Sequence, residues 1–137
     1  MANFIYKKTK QSIMNGQINF SSNFLKILII DKTYYTPNEN TDEYVSDIPP
    51  TAIKKRSSQL ENVTNFLGII DAQNLSIPDY DGSAFNAIVL YISGNSDSNS
   101  RLVFFIDISD GLPFSGSSTN TPLTILWSNS NEKIISI

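Results

Sequence analysis

Ala87-Ile-Val-Leu-Tyr-Ile92 and, beyond a polar stretch, Leu102-Val-Phe-Phe-Ile-Asp107 are the runs that decide the fold. In Ala87 to Ile92, and in Leu102 to Ile106, each set of alternate residues is apolar. A strand built from either run therefore has two faces to bury and belongs in the middle of a sheet. Leu123-Thr-Ile-Leu-Trp-Ser128 and Lys133-Ile-Ile-Ser-Ile137 continue the plan to the last residue, and the segments between these runs are rich in Gly, Asn, Ser and Asp, the residues of antiparallel turns. Gly94 to Ser100 reads as a hairpin loop and Asp110 to Pro122 as a longer one. Something must cover the second face of the central strands, and an N-terminal helix or a neighbouring subunit can do so.

Upstream, the spacing predicts a helix from about Asn3 to Met14, with Ile5, Thr9 and Ile13 on one stripe and Asn15-Gly16 as its left-handed stop. Phe24 to Ile30 reads as a buried strand ending at Asp31. Tyr35-Thr-Pro-Asn38 reads as a turn preset by proline, and Asp42 to Val45 as a short helical turn capped by Thr41 and stopped at Asp47-Ile-Pro-Pro50. Ala52 to Leu60, Asn65 to Asp71 and Leu75 to Ile77 are expected as three extended pieces, with Asp79-Tyr-Asp-Gly82 the clearest turn after them. The count is about seven or eight strands and one short N-terminal helix, which predicts a mainly β, antiparallel sandwich or barrel forming a single domain over 1–137. The last strand divides its faces less cleanly, which suits an edge docked into the sheet or against a partner.

With 137 residues, the chain is long enough to hide roughly two-thirds of its unfolded surface. It contains no histidine and no cysteine, so the usual near-neutral general base, the thiol nucleophile and the common zinc ligands are missing. Most hydrolase and metalloenzyme designs are closed to it, no disulfide framework is available, and no enzyme activity and no cofactor are expected. Only 17% of residues are charged, against about 25% in an average domain, so the exposed surface should be largely Ser, Asn, Thr and Gln. A net charge of -3 argues against sequence-blind nucleic-acid binding. The most apolar run, Phe24 to Ile30, is interrupted by Lys26 and far shorter than the roughly 20 residues that cross a bilayer. No membrane partner is expected, and synthesis in a cytoplasm is the default.

Several clusters invite sharper readings. Asp79, Asp81 and Gly82, and Asp107 with Asp110-Gly111, have the residue types of a calcium loop, but a cage of about six to eight oxygens needs more carboxylates, and turn chemistry accounts for both more simply. Lys54-Lys55-Arg56 is the one dense basic run; in a strand Lys54 and Arg56 share a face opposite Lys55, and a solvated edge fits better than a phosphate groove. Asn19, Asn62 and Asn74 stand in glycosylation sequons that a chain rich in Asn, Ser and Thr produces by chance. Asp42, Glu43 and Asp47 supply carboxylates without any sign of a sugar cleft. Tyr34, Tyr35 and Phe114 sit in turns, where an aromatic is either a plug of the sandwich end or a contact anchor. With Ile135 and Ile137 of the last strand, they form the set of candidate protein-contact residues. Tyr34, Tyr35 and Trp127 are also the rings a carbohydrate-binding module would need.

In order along the chain, Tyr35-Thr-Pro-Asn38, Ser46-Asp-Ile-Pro49, Ile69-Ile-Asp-Ala72, Ala87-Ile-Val-Leu-Tyr91, Ser100-Arg-Leu-Val-Phe-Phe-Ile-Asp107, Gly111-Leu-Pro113 and Trp127-Ser-Asn129 with Asn131-Glu-Lys-Ile134 form a series. The series resembles a family of small virion structural proteins of tailed bacteriophages. Those relatives open with a short helix, an apolar strand and the same turn, and close on a strand of tryptophan, Asx, lysine and an aliphatic. The similarity covers nearly the whole chain, although the loop after Pro113 has fewer glycines than theirs. The resemblance implies a capsid-associated auxiliary or decoration protein, located in the virion, with the major capsid protein or other virion proteins as partners and a homo-oligomeric state. A tail, connector or fibre-attachment component is the alternative. It carries over no catalytic residue.

Overall fold

The computed structural model describes residues 3–18, 24–61, 63–66, 69–108, 112, 123–125 and 135–136. Its frame is a five-stranded antiparallel sheet in the order β1-β8-β7-β2-β3, made of β1 (Phe4–Ile5), β2 (Leu25–Ile30), β3 (Ile53–Arg56), β7 (Ala87–Ile92) and β8 (Arg101–Ile106). β7 is the middle strand, as its doubly apolar sequence requires. Alternation sorts the core into two clusters, one on each face. Leu25, Ile27 and Ile29 of β2 join Ile88 and Leu90 of β7 on face one, while Leu28 and Ile30 join Ala87, Val89 and Tyr91 on face two. In β8 the alternation breaks because a bulge pairs Tyr91 with Leu102 and Leu90 with Phe104. Val103 is the extra residue and turns towards face one beside Phe104, while Leu102 and Phe105 fill face two.

Face one is clothed by two small antiparallel sheets. One has the order β10-β5-β4 and consists of β4 (Thr64–Phe66), β5 (Ile69–Asp71) and β10 (Ile135–Ser136); the other pairs β6 (Leu75–Ile77) with β9 (Leu123–Ile125). Ile70, Leu75 and Ile77 pack on the main sheet with Leu60, Tyr80 and Phe85. The fold is thus mainly β and sandwich-like, with eight strands of three or more residues, two shorter ones and one helix among the described residues. It is an open arrangement rather than the closed barrel that the strand count also allowed, because β1 and β3 end the main sheet without pairing to each other.

Face two is covered mainly by an irregular segment, not by the helix. Tyr35, Val45, Ile48 and Ala52 lie on it together with Tyr6. The helix, α1 (Lys7–Met14), is shorter than the expected Asn3 to Met14. Phe4 and Ile5 pair with Phe105 and Phe104 instead, and the Asn3 side chain leaves the helix altogether: its Oδ1 accepts from the Asp107 and Ile108 amides, and its Nδ2 donates to the Ile108 carbonyl. Among the described residues no side chain caps α1; its first amide, at Lys7, donates to the Glu39 carbonyl at 2.9 Å. Thr9, buried on the inner side of α1, donates its hydroxyl to the Leu102 carbonyl and ties the helix to the outer edge of β8. The expected stop is present, with Gly16 at φ +71°.

Three further expectations change. Tyr35 to Asn38 is not itself the turn; turns flank it, at Asp31 to Tyr34 and at Asn38 to Asp42. The helical turn falls on Val45–Asp47 rather than on Asp42 to Val45, because the Asp47 carboxylate accepts from the Glu43 and Tyr44 amides and caps it, the role expected of Thr41. Asn65 to Asp71 is not one strand: β4 and β5 pair as a hairpin, Phe66 opposite Ile69 and Thr64 opposite Asp71. Of the last strand, Ile135 and Ser136 pair with Ile70 and Ile69, so it docks as an edge of the three-stranded sheet. No helix among the described residues is long and apolar enough to cross a membrane.

Candidate functional site

The neighbouring tyrosines of the contact set point in opposite senses. Tyr35 is 5% exposed and plugs face two, its hydroxyl 2.7 Å from the Asp42 carboxylate, to which it donates, and 3.0 Å from the Tyr6 hydroxyl. Burial pushes both phenols well above their ordinary ionisation range, and the negative Asp42 beside them adds to it. Tyr34, by contrast, is 52% exposed, with the Lys54 ammonium 5.3 Å from its ring centre and Asp31 4.0 Å beyond it. Ile135 lies in β10, in the small sheet. Phe114 and Ile137 fall outside the described residues, as do Trp127, Asp110, Gly111, Asn19 and Asn62.

A feature the sequence reading missed lies beside Tyr34. Ile30 pairs with Ala87 and Ile106 with Ile88, so the chain leaves β2 and β8 at the same end of the sheet. There Lys32 donates to the Asp107 carboxylate at 3.0 Å, and Ile108, the next residue, is 62% exposed. This end thus presents two apolar side chains, Tyr34 and Ile108, around charges that largely cancel. Ile108 gave no sequence signal, since a single isoleucine after a strand is ordinary.

The titratable clusters are committed to holding the fold. Asp42 accepts from Tyr35 and from the Asn38 amide, Asp47 caps the 45–47 turn, and Glu43 lies 3.7 Å from Arg101, whose guanidinium stacks over Tyr44. In the basic run, β3 is an edge strand, as a solvated edge requires. A bulge pairs Ile29 with Lys55 and Ile30 with Ile53, leaving Lys54 out of the ladder, so the simple two-face alternation of the run is broken. Lys55 reaches Asp79 at 2.8 Å, and Arg56 grips Asp97 through two hydrogen bonds of 2.7 and 2.8 Å. The Arg56 guanidinium holds the Asp97 carboxyl below the usual carboxylate range, and Lys55 does the same for Asp79. Asp81 is an Asx turn, its Oδ1 accepting from the Ser83 amide next to Gly82 at φ +84°. Among the described residues no group of three or more Asp and Glu side chains is placed to hold a metal ion. No protein-family model matches the chain, and comparison with curated proteins likewise finds no match.

Proposed function

We propose that this chain is a non-enzymatic structural protein of a tailed-bacteriophage particle, an auxiliary or decoration protein bound to the capsid. The observation that carries the reading is the ordered series of motifs from Tyr35-Thr-Pro-Asn38 to Asn131-Glu-Lys-Ile134, whose likeness is to virion proteins. The geometry supports it in a second way. Among the described residues, Asp42, Asp47 and the pairs Lys32–Asp107, Lys55–Asp79 and Arg56–Asp97 are engaged in holding the fold, which suits a rigid module that acts by contact. The end of the sheet bearing Tyr34 and Ile108 is the surface we assign to the capsid partner, since apolar anchors within a nearly neutral rim are the usual core of such contacts. Bound to repeated positions of a shell, such a module lowers the freedom of its neighbours and stabilises the particle.

Mass spectrometry of gradient-purified particles, with heads and tails separated, tests the reading. Recovery with heads at a copy number matching the shell's symmetry positions is the expected result. Recovery only with tails transfers the protein to a tail or connector role, and absence from particles overturns the proposal.

A further inference from the structure

Asn15-Gly16 is the one place in the chain where asparagine precedes glycine. In that sequence the glycine amide nitrogen can attack the asparagine side-chain carbonyl, because no Cβ on the following residue shields the nitrogen. Asn15 and Gly16 are both exposed, and among the described residues nothing lies within 4 Å of where a Gly16 Cβ would stand, so none of these keeps water or base out.

The end of α1 nevertheless holds the pair in an unreactive form. Gly16 donates its N–H to the Ile13 carbonyl at 3.0 Å and Gln17 donates to the Ser12 carbonyl at 2.9 Å, the two bonds of a Schellman cap. The proton that attack must shed is therefore engaged. Asn15 itself sits at φ −85°, ψ 3°, a conformation that directs the Gly16 nitrogen back along the helix. The cap has little else to hold it: α1 has eight residues, no basic side chain in its last turn, and Met14 at its end is 86% exposed.

The geometry points to Asn15 as a self-modification site gated by this cap. When the last turn opens, the Gly16 nitrogen bonds to Cγ of Asn15, the Cγ–NH₂ bond breaks, and ammonia leaves with the proton shed by the amide. The resulting succinimide adds one water, at either carbonyl, to give aspartate or isoaspartate at position 15. Closing the cap again is then opposed twice. The new carboxylate lies at the negative end of the helix dipole, and isoaspartate lengthens the backbone by one atom so that the Gly16 and Gln17 bonds no longer register. The Thr9 hydroxyl bond to Leu102 lies upstream, so the lesion frays the last turn and spares the anchor.

The purified full-length chain, incubated in warm, mildly alkaline buffer, either native or in guanidinium chloride, is digested and mapped by mass spectrometry. Asn15→Gln serves as the blocked control. The expected result is that Asn15 is the first asparagine converted in both samples and reacts about tenfold slower in the native one, which corresponds to about 1.4 kcal/mol of cap closure. Asn15→Gln should lose that peptide's mass gain while retaining the native circular dichroism. Equal rates in the two samples would overturn the gating, and prior conversion of another asparagine in the native protein would overturn the site.

Discussion

Replacing Tyr35 by phenylalanine removes one oxygen from the interior of face two, and the structure sets what that costs. The hydroxyl donates to the Asp42 carboxylate at 2.7 Å and faces the Tyr6 hydroxyl at 3.0 Å, while Tyr6 is fully buried. Loss of a hydrogen bond to a charged group costs about 1.5–3 kcal/mol, and the stranded Tyr6 hydroxyl adds about 1–3 kcal/mol of uncompensated desolvation. Tyr35→Phe should therefore destabilise by about 2.5–6 kcal/mol. Tyr6→Phe leaves the bond between Tyr35 and Asp42 in place and should cost only about 0.5–1.5 kcal/mol. In the double variant the stranded group is gone, so its cost should fall below the sum of the singles by about 1–3 kcal/mol. Urea unfolding followed by circular dichroism, with the m-value checked for constancy, measures all three. Single costs that add to within about 0.3 kcal/mol, or a Tyr35→Phe cost below about 0.5 kcal/mol, would refute the buried relay.

The same two phenols make stability fall in alkali. Their folded-state ionisation lies above the ordinary value of about 10, so their contribution is intact below pH ~10 and is lost as pH rises beyond it, where the unfolded chain sheds protons that the folded one keeps. Melting temperature against pH should show this decline, and Tyr35→Phe should make it shallower; an unchanged slope would count against it. Gly94→Ala places a methyl 2.5 Å from the Asn99 carbonyl oxygen and should cost about 1–3 kcal/mol in the same urea assay, with a neutral result refuting the close approach. Deleting residues 133–137 removes β10 from the edge of β5 and should yield insoluble or strongly destabilised protein; a soluble truncation with unchanged melting would show that the strand is dispensable. Chelator should leave the melting temperature unchanged, and a drop of several degrees reversed by calcium would reopen the Asp79 to Gly82 turn as a metal loop.

What could be read from the sequence was whatever depended on local pattern. Ala87 to Ile92 is a strand to the residue, and Leu25 to Ile30 within one, because a doubly apolar run of that length has few alternatives to a covered strand. The Gly16 stop is equally local. The misread elements turn on contacts across the chain. Asn3 has the chemistry of a helix cap, yet it is spent on amides at 107 and 108, and Phe4-Ile5 finds a strand partner in β8. Asp47 outcompetes Thr41 as a cap because it reaches back to two amides at once. The division of Asn65 to Asp71 into two strands rests on the pairing of Phe66 with Ile69, and a largely apolar run does not announce where it folds back on itself. For the candidate site, Tyr34 and Tyr35 are adjacent residues of one type, and only the third dimension sends one to the interior and the other to the surface.

In the proposed function the protein docks on a phage head through the end of the sheet that carries Tyr34 and Ile108. Labelled protein added to purified heads that lack it should bind saturably, reaching a number per head equal to the shell's symmetry positions. The double variant Tyr34→Ala/Ile108→Ser, whose changes are on exposed side chains, should keep the melting temperature and lose most of that binding. Absence of saturable binding to heads would contradict the function, and full binding by the folded double variant would contradict the surface.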